Sequence, residues 1–77
     1  MNKVKARVYV TLKTSVLDPQ GQTIRAALKG LGHVGIEEVR QGKYFEISYG
    51  EGEDLDAIAR EVLSNPVIED YRIETLA

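Results

Sequence analysis

Val16-Leu17-Asp18-Pro19-Gln20-Gly21 joins two stretches of different periodicity, and that change of period decides the fold. Ahead of it, Val4, Ala6, Val8, Val10 and Leu12 alternate with Lys3, Lys5, Arg7, Tyr9, Thr11 and Lys13. A repeat of two sets the apolar side chains on one face of a strand and the charged ones on the other, over about residues 3–13. Beyond it, Ile24, Ala27, Leu28 and Leu31 recur at helical spacing, which predicts a helix over about 19–31. Asp18 is placed to cap the first free N–H groups, and Pro19 suits the first helical position, where no intrahelical donor is lost. Gly21 is the anomaly, because glycine inside a helix costs roughly 1 kcal/mol against alanine. Some constraint other than local stability is expected to hold it there.

Gly32 follows Leu31 as a natural helix terminator. A hairpin is predicted next, roughly 34–40 and 43–50, turning at Gln41-Gly42. Phe45, Ile47 and Tyr49 share one face of it, whereas Ile36 and Val39 do not alternate. A bulge would reconcile the two halves, and the pattern leaves the register open. Gly50-Glu51-Gly52 reads as a loop, and Glu53, Asp54 and Asp56 crowd the start of a second helix, where the dipole favours carboxylates. Leu55, Ile58, Ala59, Val62 and Leu63 form its apolar stripe over about 54–64, and Asn65-Pro66 ends it. Val67 to Leu76 supplies a last strand.

The order is βαββαβ, an α+β split-βαβ or ferredoxin-like arrangement. It predicts a single domain over 1–77, a four-stranded antiparallel sheet with two helices on one face. The other face would expose Tyr9, Val39 or Tyr44, and Ile68 or Leu76. A second copy packing there would bury apolar area at about 25 cal/mol per Å², so at least a homodimer is expected.

The 77 residues include no cysteine, which removes disulfide and thiolate-metal chemistry and predicts an intracellular, cytoplasmic location. The first residues are charged and strand-like, unlike a signal peptide or membrane span. Net charge is −2, which argues against nucleic acid as the main partner. Residues 1–33 carry +5 and residues 34–77 carry −7. Basic and acidic strands pairing across one sheet account for this; a charged face turned to a partner protein is the sharper alternative.

Recognisable chemistry is sparse. Gly30-Leu31-Gly32-His33-Val34-Gly35 matches a dinucleotide string but closes a helix, whereas that motif must open one. His33, the only histidine, has no companion for a triad or metal set. Glu51, Glu53, Asp54 and Asp56 lack the spacing of a calcium loop. Ser15, Ser48 and Ser64 lack a nucleophile elbow or base. Lys43-Tyr44-Phe45-Glu46-Ile47-Ser48-Tyr49, with Tyr9, is open to an RNA-binding reading, against which stand Glu46 and the acidic charge. No catalytic set emerges.

Three segments in order carry a resemblance: Val16 to Gly21, Val39-Arg40-Gln41-Gly42-Lys43, and Leu63-Ser64-Asn65-Pro66-Val67-Ile68-Glu69-Asp70-Tyr71. Together they resemble the PurS family, small subunits of phosphoribosylformylglycinamidine synthase, across essentially the whole chain. The short connection from Gly50 to Glu53 departs from the family pattern. The resemblance implies a noncatalytic assembly role in purine synthesis, with no cofactor in this chain. It also implies a homodimer or tetramer that docks a large subunit, PurL, holding ATP and Mg²⁺, and a glutaminase, PurQ. The partner-binding residues it implies are Asp18, Pro19, Gln20, Gly21, Gly42, Lys43, Asn65, Pro66, Glu69 and Tyr71. An RNA-binding module and a small-molecule-sensing regulatory domain are the alternatives that share this element order.

Overall fold

The structure is a computed structural model that describes residues 3–76. It contains strand β1 (Lys3–Leu12), helix α1 (Pro19–Gly30), strand β2 (Gly42–Gly50), helix α2 (Leu55–Ile58), its π-helical continuation (Ala59–Leu63) and strand β3 (Glu69–Leu76). The sheet is three-stranded and antiparallel, in the order β2-β1-β3. Val8 sits opposite Phe45 on one side and Ile73 on the other, so the even-numbered residues of β1 face the core.

That core is small. Ala6, Val8 and Val10 meet Leu55 and Ala59, with Phe45, Ile47, Tyr49, Ile58, Leu63, Tyr71 and Ile73 packed around them. The alternation read from the sequence is therefore the alternation of the sheet. On the opposite face Arg7 pairs with Glu74 at 3.2 Å, and Lys13 pairs with Asp70 at 2.7 Å where β1 gives way to the next loop. Basic β1 and acidic β3 thus neutralise each other across the sheet. Tyr9, Tyr44 and Leu76 do emerge on this outer face, paired with Arg72, Tyr9 and Lys5 respectively.

Three expectations are corrected. The predicted strand over 34–40 does not form among the described residues, so the sheet has three strands instead of four. Val34 and Gly35 lie in a turn, and the chain then continues to Gln41 without regular secondary structure and without pairing with β2, so no hairpin turns at Gln41-Gly42. The missing alternation of Ile36 and Val39 gave it no apolar face to lay on a sheet. Second, only α2 covers the sheet: α1 buries Gly21 alone and adds no side chain to the core. Ile24, Leu31, Val34 and Ile36 are consequently exposed. The radius of gyration, 16.1 Å, exceeds the roughly 11–12 Å of a compact domain of this length.

Third, the helix expected over 54–64 is α-helical only to Ile58 and then widens. The Ser64 N–H donates to Ala59 O at 3.0 Å and its hydroxyl to the same oxygen at 2.8 Å, closing a five-residue turn. The wider turn keeps Leu63 over the sheet and rotates Val62 outward, where it is 75% exposed. Of the carboxylates crowding this helix start, Asp54 is the N-cap, and Gly32 terminates α1 as read. Asp54 accepts from Ala57 N–H at 3.2 Å, and Gly32 takes a φ of 99°, the left-handed conformation that ends α1.

A candidate docking site at one end of the sheet

Three stretches distant in sequence meet where β1 ends and β2 begins. Asp18 is their hub and is buried. Its Oδ1 accepts from the Gly21 N–H at 2.9 Å, the capping bond the sequence predicts. Its Oδ2 accepts from the Gln41 N–H at 2.8 Å, a bond no local pattern announces. One carboxylate therefore clasps the first turn of α1 to the residue just before β2. The hydrogen bonds from Gly21 and then Gln41 hold the carboxyl below its ordinary pKa, with Arg40 adding to them and burial opposing.

Gly21 explains itself here. A Cβ on it would collide with the Val39 carbonyl oxygen and lie 2.8 Å from Asp18 Oδ2. Only a hydrogen fits between the helix start and the returning backbone. Gly42 is constrained the same way, because a Cβ there would strike Val10 O and lie 2.9 Å from Thr11 Cγ2. The Arg40 guanidinium closes the junction by donating to Lys13 O at 3.0 Å, Val16 O at 3.2 Å and Leu12 O at 3.4 Å. One side chain thereby ties together three carbonyls at the end of β1 and in the following turn, where Lys13 O also accepts from the Val16 N–H at 2.9 Å.

On the surface of this junction the Gln41 side-chain amide donates to Gln20 Oε1. Both glutamines remain exposed, with donors and acceptors to spare. A depression of about 190 Å³ lies beside them, bounded by Asp18, Gln20, Gln41, Gly42, Lys43 and Glu69 over Val10 and Leu12. Lys43 Nζ stands 3.7 Å from Glu69 Oε2, and the Asn65 N–H donates to Glu69 Oε1 at 2.6 Å. Asn65 O in turn accepts from the Glu69 N–H at 2.7 Å, so the Asn65-Pro66 turn is tied through Glu69 to the start of β2.

Nine of the ten predicted residues are thus brought together or linked: Asp18, Pro19, Gln20, Gly21, Gly42, Lys43, Asn65, Pro66 and Glu69. Tyr71 is not among them. It opposes Val10 on the core face, and its hydroxyl donates to Asp56 Oδ1 at 2.7 Å beside α2. That bond raises the tyrosine pKa, burial adding to it. Arg40 and Gln41 are the members that sequence reasoning missed as site residues. Their only signal was their place in the segment before Gly42.

What the site offers is amide, carboxylate and ammonium groups on a rigid frame, a chemistry of recognition. His33 is exposed far along the chain from it, and Ser64 is engaged with Ala59 O. Among the described residues no group of three or more His, Cys, Asp or Glu is arranged for a metal ion. No described helix is long and apolar enough to cross a membrane.

The chain matches the PurS family, described as phosphoribosylformylglycinamidine (FGAM) synthase, over residues 5–77. The chain belongs to the PurS family. A PurS subunit of phosphoribosylformylglycinamidine synthase from Mycobacterium leprae is 50% identical over 72 residues, spanning 90% of this chain and 91% of that one. The Bacillus subtilis PurS subunit is 45% identical over 75 residues, spanning 91% and 89%. Among solved structures, B. subtilis PurS superposes with a TM-score of 0.87 at 42% identity, covering 96% of this chain and 99% of that one. A chain of the PurLQS structure from Thermotoga maritima superposes with a TM-score of 0.84 at 28% identity, covering 99% and 100%. The PurS likeness therefore includes the loop junction and both helices as well as the sheet.

Proposed function

We infer that this chain is the noncatalytic assembly subunit of phosphoribosylformylglycinamidine synthase. That ligase uses ATP and glutamine to amidate formylglycinamide ribonucleotide in purine biosynthesis. The observation that carries the reading is end-to-end likeness to PurS subunits, including one in a PurLQS structure. The partners on this reading are the large subunit PurL, which holds ATP and Mg²⁺, the glutaminase PurQ, and a second copy of the chain. The complex works in the cytoplasm, and the chain contributes one domain without a cofactor of its own.

The physical task fits the site. Ammonia released into water is protonated at neutral pH and ceases to be a nucleophile, so two active centres must be held in register with water kept out. A junction locked by one carboxylate and one guanidinium presents Gln20, Gln41 and Lys43 in fixed positions, which lowers the entropy cost of docking. Asp18, Pro19, Gly21 and Gly42 shape that surface, and Asn65, Pro66 and Glu69 buttress it. Tyr71 acts from the core face. Self-association uses the outer sheet face, where the Tyr9 and Tyr44 rings lie 5.4 Å apart and Arg72 stands 4.4 Å over Tyr9. The same tyrosines hydrogen-bond Glu74 and Glu46, which disfavours the RNA-binding alternative.

Reconstitution tests the reading. PurL and PurQ supplied with glutamine should require this chain for product, and equal rates without it would overturn the assignment. Within the reconstituted complex, Gln20→Ala should lower the glutamine-dependent rate by about fivefold, the scale of one lost interfacial hydrogen bond. Its melting temperature should match the wild type, since Gln20 is exposed. An unchanged rate would remove Gln20 from the docking surface.

A further inference from the structure

The π-helical continuation of α2 carries two adjacent apolar residues, Val62 and Leu63, and turns only one of them to the sheet. At about 100° per residue, an α pitch would set Val62 within about 20° of Leu55 and Leu63 about 80° away. The wider turn exchanges their places, so that Leu63 packs against the core and Val62 is exposed. The start of α2 has no such freedom. Asp54 caps it, and the Tyr71 hydroxyl holds Asp56 Oδ1 at 2.7 Å. The choice of pitch therefore falls on the turn from Ala59 to Ser64.

Ser64 makes that choice with two bonds. Its N–H and its hydroxyl both donate to Ala59 O, at 3.0 and 2.8 Å, in a buried setting. An α pitch would give that carbonyl to the Leu63 N–H instead. It would also displace Asn65 by one helical step, about 1.5 Å along the axis and about 100° around it. Asn65 anchors everything that follows. Its N–H donates to Glu69 Oε1 at 2.6 Å, its carbonyl accepts from the Ile68 and Glu69 N–H groups, and its Oδ1 accepts from the Val67 N–H at 3.1 Å. Glu69 Oε2 in turn stands 3.7 Å from Lys43 Nζ at the docking junction.

We propose that Ser64 is a positioning residue for the docking junction: its hydroxyl holds the end of α2 in the wide pitch, and that pitch sets the Asn65–Glu69 buttress beside Lys43. This role rests on the assembly function proposed above and assigns part of it to a buried side chain outside the junction.

Ser64→Ala tests it, because it removes the hydroxyl and places a better helix former at that position. Methyl NMR of the chain alone should show Leu63 in contact with the core in wild type. In Ser64→Ala a second population should appear with Val62 in its place. In the reconstituted complex, the concentration of chain giving half the maximal glutamine-dependent rate should rise about fivefold for Ser64→Ala. Ser64→Ala/Val62→Gln separates position from stability. Burying a glutamine amide without partners is unfavourable, so the wide pitch returns with Leu63 inward. Half-saturation should then recover its wild-type value, while the melting temperature stays lowered because the hydroxyl bond is still missing. Leu63 contacts unchanged in Ser64→Ala would overturn the proposal, as would a double variant that recovers nothing. So would a shifted register that leaves half-saturation where wild type has it. If PurL and PurQ make product equally well without the wild-type chain, the assembly reading fails and the docking role falls with it. The methyl contacts, read on the chain alone, still decide which pitch Ser64 holds.

Discussion

Gly21→Ala should lower the melting temperature by about 10–20 °C, the equivalent of roughly 2–3 kcal/mol in a domain of this length. The sign is the informative part. Alanine is the better helix former by about 1 kcal/mol, so helix propensity alone predicts a gain in stability. The structure predicts a loss, because the added methyl would meet the Val39 carbonyl oxygen and the Asp18 carboxylate. Neither neighbour has freedom to yield: Asp18 holds two backbone N–H groups, and the segment carrying Val39 is fixed by Arg40. Relief would have to come from separating α1 from the returning chain, which breaks the junction. A melt monitored by circular dichroism decides it, and a rise in melting temperature would remove the close approach from the account.

Asp18→Ala should be the more damaging of two matched cap deletions. Asp54→Ala removes an N-cap bond made at the surface, where water replaces the lost acceptor. Asp18→Ala removes an N-cap bond and a second bond that joins two segments, both in a buried setting. Its melting temperature should fall clearly further than that of Asp54→Ala. The charge can be tested separately with Asp18→Asn. The folded-state pKa of Asp18 lies below its unfolded value, chiefly because Gly21 and Gln41 donate to the charged form. Its contribution is therefore complete above the unfolded pKa, near 4, and is lost as pH falls through the lower folded value. The stability gap between wild type and Asp18→Asn should be widest at neutral pH and close on acidification below about pH 4. A gap of constant size down to pH 2 would mean that the ionised form is not what the two N–H groups hold.

The legible parts of this protein are those whose cause lies within a few neighbouring residues. Alternation from Val4 to Leu12 located β1 and its buried face, and Asp18-Pro19 located the start of α1. Gly32 marked the end of α1, and Asn65-Pro66 preceded the last strand. The same local character misled at 34–40. Apolar residues without alternation suggest an irregular strand, although nothing local says whether an edge is available for it. Val62 was misplaced for a related reason, since helical spacing presumes an even pitch and the turn closed by Ser64 is wider.

The candidate site divides along the same line. Its residues were named from segments that resemble a family, and the structure shows what joins most of them. Tyr71 shares the core face of β3 with Glu69, and it stays out of the junction because its hydroxyl is tied to Asp56 of α2, a long-range contact that one strand cannot reveal. Arg40 and Gln41 acquire their roles only through carbonyls and a carboxylate more than twenty residues upstream.

From the sequence alone came the strand-to-helix switch, the caps, the basic and acidic halves and the kinship with PurS. Tertiary structure alone decided that α1 stands off the sheet, that the fourth strand is absent, and that Gly21 and Gly42 answer to passing backbone. Periodicity and capping are energies between near neighbours and are written in adjacent letters. The clasp joins Asp18 to a residue 23 positions away, and the geometry that brings them together exists only once the chain has folded.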